Sequence, residues 1–202
     1  MKIVVSGASG LVGRALIPAL ERDGHAVLRL VRHPVRDPGE EMQWNPYAGT
    51  MDVDAMPPFA ICAMSTASSN IAGRWTAAKK RAIYDSRIRT TRFLAESMEK
   101  MDRPPAVWLC ASAIGYYGNR GDETLTEASE AGGTYLATVC EDWENATKPA
   151  RDRGVRVVNM RFGVVLAKDG GTLPLMMRPF KLGLGGVIGS GKQFFSWIAI
   201  DD

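Results

Sequence analysis

Two rhythms of apolar residues run along the chain. Short aliphatic runs that end near a glycine or small polar residue read as buried strands, and stretches with apolar residues three and four apart read as helices. Lys2 to Ser6 predicts a first strand, and Leu11, Ala15, Leu16, Ala19 and Leu20 give the segment behind it a helical spacing. Pro18 falls inside that helix and removes one backbone hydrogen bond, a cost of about 3 kcal/mol in an isolated helix that packing must offset. Gly24 ends the helix, and His25 to Arg32 predicts a second buried strand. Further strands are predicted at Phe59 to Ser65, Ala106 to Ala111 and Val155 to Met160, and short ones at Met42 to Trp44 and Gly49 to Val53. Long helical patterns cover Thr76 to Met101, stopped by Pro104 and Pro105, and Tyr135 to Arg153.

Strands alternating with helices throughout predict an α/β fold, a doubly wound parallel sheet with helices on both faces, because parallel strands need crossovers that fold back onto the sheet. In such a sheet ligands sit at the strand C-termini. After Gly163 glycines multiply and the periodicity fades, which predicts residues 163–202 as the start of a small C-terminal lobe beside a main domain of residues 1–162.

Composition narrows the class. A chain of 202 residues, 46% hydrophobic and 23% charged, has the balance of an ordinary globular protein. Cys62, Cys110 and Cys140 are odd in number and widely spaced, so neither a disulfide framework nor a metal site is expected. A net charge of +3 does not argue for nucleic acid, although it suits a phosphate-bearing ligand. The first apolar run is too short and too rich in glycine for a signal peptide, and nothing later is long enough to span a membrane. The expected location is the cytoplasm.

Gly7, Gly10 and Gly13 in GASGLVG follow a strand and open a helix, which is the context a dinucleotide fingerprint requires. Gly7 takes the tight turn, Gly10 lets backbone approach a pyrophosphate, and Gly13 lets helix pack on strand. Free amides of Ser9, Gly10, Leu11 and Val12, aided by the helix dipole, would hold the phosphates. A tight turn without a ligand is the plainer alternative. The second strand ends in Arg32, and no acid lies between Asp23 and Asp37 to accept a ribose 2′-hydroxyl. An arginine there can fork onto a 2′-phosphate, so NADP is expected ahead of NAD, unless Arg32 is simply a solvated cation.

Later motifs add a resemblance. Asn70-Ile-Ala-Gly-Arg-Trp75-Thr, Asp85-Ser-Arg87, Ser112-Ala-Ile-Gly-Tyr116-Tyr117-Gly118, the run from Arg161 to Gly171 and the run from Gly189 to Asp202 resemble the extended short-chain dehydrogenase/reductases. Within them the chain is similar to a nucleoside-diphosphate-sugar epimerase-like, NAD-dependent epimerase/dehydratase subfamily. The resemblance implies a Rossmann domain, hydride transfer at a bound nicotinamide, and a small-molecule substrate such as a nucleotide sugar or another carbonyl or hydroxyl compound. It also implies that Ser65, Thr66 and Ala67 lie along the cofactor, and it allows a homodimer. Some members of the subfamily are described as cell-division inhibitors, so a non-catalytic NADP-binding regulator is the second reading. The family pattern continues with a helix and a substrate region after Asp202, so the pocket is expected to be incomplete.

The wider superfamily uses a Ser or Thr to bind substrate oxygen, a Tyr as acid/base, and a Lys four residues on that assists a phenol whose ordinary pKa is about 10. The helix from Tyr135 lacks this pair in either register. Tyr135 is followed four residues on by Val139, and anchoring on Trp143 and Glu144 puts Leu136 and Cys140 in the two places. Ser112 stands near the place of the substrate serine, or Ala113 does if Tyr117-Gly118 is the anchor. Tyr116 and Tyr117 follow on the loop facing the nicotinamide, as proton-transfer groups or as pocket caps. Lys79, Lys80, Arg81, Arg87, Arg89 and Arg92 predict a mostly solvated basic helix face. Trp75, Trp143 and Trp197 are expected as packing anchors.

Overall fold

The computed structural model describes residues 1–54, 56, 60–63, 74–187 and 189–202, with 60–63 as backbone alone. Seven strands form the main sheet: β1 (Lys2–Ser6), β2 (Ala26–Val31), β3 (Glu41–Asn45), β4 (Thr50–Met51), β5 (Ala60–Ala63), β6 (Val107–Ala113) and β7 (Arg156–Phe162). Their order is β4-β3-β2-β1-β5-β6-β7, parallel throughout except for the β3–β4 pair. The order reverses between β1 and β5, which makes the C-terminal end of β1 the topological switch point.

Alternate residues of the strands feed two cores. Val4, Leu28, Leu30, Trp108 and Cys110 face Leu94, Ala95 and Met98 of helix α2 (Ala77–Glu99) and Ala150 of α4 (Lys148–Asp152). Ile3, Val5 and Val27 turn the other way, onto Ile17 and the partly buried Val12, Leu16 and Leu20 of α1 (Leu11–Arg22). Helices therefore cover both faces. Helix α1 runs through Pro18 and closes at Gly24, whose φ of +77° suits a residue without a Cβ. There the amides of Gly24 and His25 donate to the carbonyls of Glu21 and Leu20, the paired bonds of a Schellman turn.

No helix joins β2 to the parallel β3, and the sequence carries no helical pattern there; three other details depart from the sequence expectations. The segment 32–40 is short for a helical crossover and folds on itself, with Glu41 accepting the amide of Arg36 at 2.8 Å and Asp37 accepting that of Glu41 at 2.8 Å. The helix expected from Tyr135 to Arg153 is two, α3 (Tyr135–Asn145) and α4, because Pro149 has no amide for the carbonyl of Asn145. Arg87, expected on a solvated face, is 8% exposed with its guanidinium 5.3 Å from the Trp143 ring. Among the tryptophans, Trp143 is buried and donates to Thr91 Oγ1 at 2.9 Å, whereas Trp75 and Trp197 are exposed.

After β7 the chain leaves the main sheet. It builds a three-stranded sheet in the order β10-β8-β9, from β8 (Val164–Ala167), β9 (Gly170–Gly171) and β10 (Trp197–Ala199), with α5 (Leu173–Lys181) between β9 and β10. A Cβ added at Gly170 would stand 3.0 Å from Leu11 Cδ1, so this small sheet lies against the start of α1.

Trp108 has no exposed surface, and Trp197 is 58% exposed. Trp108→Ala is expected to cost about 3–5 kcal/mol of unfolding free energy through the cavity it leaves. Trp197→Ala should cost less than about 0.5 kcal/mol, both measured by urea unfolding followed by circular dichroism.

Candidate cofactor and reaction site

The glycine turn is shaped by one close approach. Gly7 has φ +78°, and its carbonyl accepts the Gly10 amide at 2.9 Å. A Cβ on Gly13 would lie 2.3 Å from that carbonyl oxygen and 2.9 Å from Ala8 Cα, and one on Gly10 would lie 3.1 Å from the same oxygen. Only glycine at position 13 lets α1 begin this close to the end of β1. The helix then starts without a side-chain cap, whereas Thr76 and Thr134 cap α2 and α3 by accepting the amides of Lys79 and Ala137. The first-turn amides of Leu11, Val12 and Gly13 have no acceptor within their helix, and the dipole adds a partial positive charge at the same place.

An open cleft of about 860 Å³ starts at this turn, within the range of small-molecule sites. It runs from Gly7, Ala8 and Ser9 past Arg14 to Val31, Arg32 and His33, and on to Asn45 and Tyr47. Arg29 also lines it but is held by Glu21 and Glu40, each at 3.1 Å. Among the described residues no carboxylate pairs with Arg32. The cleft therefore offers uncapped amides over β1 and a guanidinium just beyond β2, a donor set that fits a dinucleotide with an extra phosphate. Ser65, Thr66 and Ala67 lie outside the described residues.

A second cluster sits where β6 and β7 end. Ser112 and Arg161 are paired across the two strands. Ser112 is 3% exposed and donates to Glu144 Oε1 at 2.6 Å. Arg161 forks onto the same carboxylate, Nε to Oε1 at 2.8 Å and Nη2 to Oε2 at 2.9 Å. Its Nη1 donates to the Tyr117 hydroxyl at 2.9 Å, and the guanidinium lies 3.5 Å from the centroid of the Tyr116 ring. The bonds to Glu144 push the Arg161 guanidinium further above its ordinary range. The structure thus brings Ser112, Tyr116 and Tyr117 together around two residues that the sequence reading had not assigned to the site, Glu144 and Arg161. Their signal was there: a charged residue ends the apolar run VRVVNM, and another follows the buried Trp143.

The same geometry separates the two registers of the α3 helix. Tyr135 points to α2, where its hydroxyl donates to the Lys80 carbonyl at 2.7 Å and its ring meets Trp75 edge-on. Leu136 and Cys140 instead face the 3₁₀ turn Ile114–Tyr116 that follows β6. A Cβ on Gly115 would lie 3.7 Å from Leu136 Cβ and 3.6 Å from Cys140 Sγ. Leu136 and Cys140, the pair that anchoring on Trp143 and Glu144 picks out, therefore abut that loop, and Tyr135 does not. Burial pushes the Cys140 thiol up to about 11. Among the described residues no cluster of His, Cys, Asp and Glu could hold a metal ion.

Fold and turn define the class: a doubly wound α/β protein with a glycine-rich strand-to-helix turn at its switch point. The chain belongs to the NAD dependent epimerase/dehydratase family, whose family model matches residues 3–202. It is 42% identical over 201 residues to the epimerase family protein Mb2239 of Mycobacterium bovis, a match covering 99% of this chain and 65% of that protein. It therefore spans just under two thirds of that relative. The solved nucleoside-diphosphate sugar epimerase from Corynebacterium glutamicum superposes with a TM-score of 0.83 at 41% identity, over all of this chain and 41% of that one. The human epimerase family protein SDR39U1, isoform 2, solved with NADPH, has the same TM-score of 0.83 at 33% identity, over all of this chain and 67% of that one.

Two outcomes are expected. In an ordinary helix Gly→Ala gains about 1 kcal/mol, but at Gly13 the 2.3 Å approach reverses the sign. Gly13→Ala should lower unfolding stability by about 1–3 kcal/mol in denaturant titration. With its thiol at about 11, Cys140 stays protonated at pH 8, with only roughly a thousandth as thiolate. Mass spectrometry should find its peptide unlabelled by iodoacetamide in the native protein and labelled after unfolding.

Proposed function

We propose that this chain binds NADP in preference to NAD and serves hydride transfer to or from a small carbonyl or hydroxyl compound, a nucleotide sugar being the leading class. The observation that carries this reading is Arg32 standing in the cleft just past β2, paired with no carboxylate among the described residues. The NADPH in the human relative supports it. The amides of Ser9, Leu11 and Val12 would hold the pyrophosphate, with Gly7 and Gly13 giving the turn its shape. The amide of Gly10, expected from the sequence to be free, is bonded to the Gly7 carbonyl, so Gly10 would serve by letting the backbone approach, and Arg32 would hold the 2′-phosphate. Ser65, Thr66 and Ala67 would run along the dinucleotide. Residues 1–162 would form the cofactor domain, and 163–202 would begin the lobe that receives the substrate.

Hydride transfer is the chemistry a bound nicotinamide supplies. Of the two tyrosines offered for proton transfer, Tyr117 fits best. Its oxygen already accepts from Arg161, which leaves its own proton free to be donated. The proton of Ser112 is committed to Glu144, so Ser112 would act by fixing the Glu144–Arg161 pair. Tyr116, under the guanidinium, would wall the pocket.

The second reading, a non-catalytic NADP-binding regulator, is favoured by Leu136 and Cys140 lying against the loop in place of Tyr and Lys.

Calorimetric titration of NADPH and NADH tests the cofactor. NADPH should bind more tightly, and Arg32→Ala should weaken it about 10- to 100-fold, the worth of a charged hydrogen-bond pair, with little effect on NADH. Equal binding of the two would reject the NADP preference, and saturable binding of neither would reject the cofactor reading. Turnover on a panel of nucleotide sugars and carbonyl compounds that Tyr117→Phe abolishes would support the enzyme. Tight NADPH binding without turnover on any of them would support the regulator.

A further inference from the structure

The sheet order says which group must follow the ribose along the cleft. The cradle lies over β1, Arg32 lies just past β2, and the next strand outward is β3, one spacing of about 4.8 Å further. The cleft continues from Arg32 past the C-terminal end of β3, where the chain reads Asn45-Pro46-Tyr47, and this leaves room there for a base attached to a ribose at Arg32.

Tyr47 is built as a platform there. It is 47% exposed and lines the cleft; Trp44 lines the cleft too but is 3% exposed and stacked on Phe93, so Tyr47 presents the more open ring. The Arg89 guanidinium of α2 lies over the Tyr47 ring, 5.6 Å from its centroid. Asn45 Oδ1 accepts the amides of Tyr47 and Ala48, both at 3.0 Å, and fixes the turn that carries the ring. An aromatic ring with a cation over it and its backbone pinned loses little freedom when a flat heterocycle packs on it.

We propose that Tyr47 is the stacking platform for the purine base of the cofactor, so that the β3–β4 hairpin closes the adenosine end of the cleft. This rests on the dinucleotide reading above. The hairpin then has a binding role that its position at the sheet edge does not suggest.

Adenosine 2′,5′-bisphosphate, which carries the base, ribose and 2′-phosphate without nicotinamide, isolates this subsite. Calorimetry on the full chain should find Tyr47→Ala weakened about 10-fold toward it, as expected for one lost base–aromatic stack. Tyr47→Phe, which keeps the ring, should stay within about twofold of the unaltered chain. Tyr47 is exposed, so both variants should unfold at the unaltered midpoint, which circular dichroism checks. Unchanged affinity in Tyr47→Ala, while the unaltered chain binds, overturns the platform and leaves the cofactor reading standing. Equal losses in the Ala and Phe variants also overturn it, because the hydroxyl would then be the contact. If neither the bisphosphate nor NADPH binds the unaltered chain, the cofactor reading itself has failed.

Discussion

The absence of a Cβ at Gly13 governs the rest of the site. Because backbone from α1 can lie against the Gly7 carbonyl, the helix points its first turn at the C-terminal end of β1. That puts uncapped amides at the one place where the strand order reverses, and the cleft opens from there across β2 and β3. A larger side chain would push the helix outward and displace every donor in that turn together. The local choice of one residue thus sets the geometry of a cleft that reaches two strands away.

The Glu144–Arg161 pair plays a comparable part at the other end of the site. It ties α3 to the ends of β6 and β7 and carries Ser112, Tyr116 and Tyr117 with it. The side chains of the pair are only 12% and 16% exposed, so each ion depends on the other for compensation after losing water. Such a pair contributes orientation more surely than net stability, since its desolvation offsets much of the attraction. Beside it Leu136 and Cys140 pack against Gly115 in the loop after β6.

Much of this was legible in the residues. Continuous apolar runs and a glycine triad between strand and helix are local signals, and they located β1, α1, β2, the long α2 and the tight glycine turn between β1 and α1. The parts that were not legible depend on tertiary neighbours. That Tyr135 turns to Lys80 while Leu136 and Cys140 face Gly115 follows from how α3 rolls against α2, and the spacing of residues leaves that roll open. Arg87 is a cation in a helix, and only the docking of Trp143 shows that it is buried. The β2–β3 connection carries no helical pattern, and its fold is set by hydrogen bonds that Asp37 and Glu41 make within the loop itself. Ser65, Thr66 and Ala67 lie outside the described residues.

The antiparallel β4 has one more effect. It is two residues long and is reached through Gly49 at φ +69°, so the main sheet ends on that side in a very short row of outward amides and carbonyls. An open border of that kind offers little template to a strand from another molecule. The hairpin that frames the cleft therefore also shields the flank of the sheet from unwanted growth, and lengthening it would put that protection at risk.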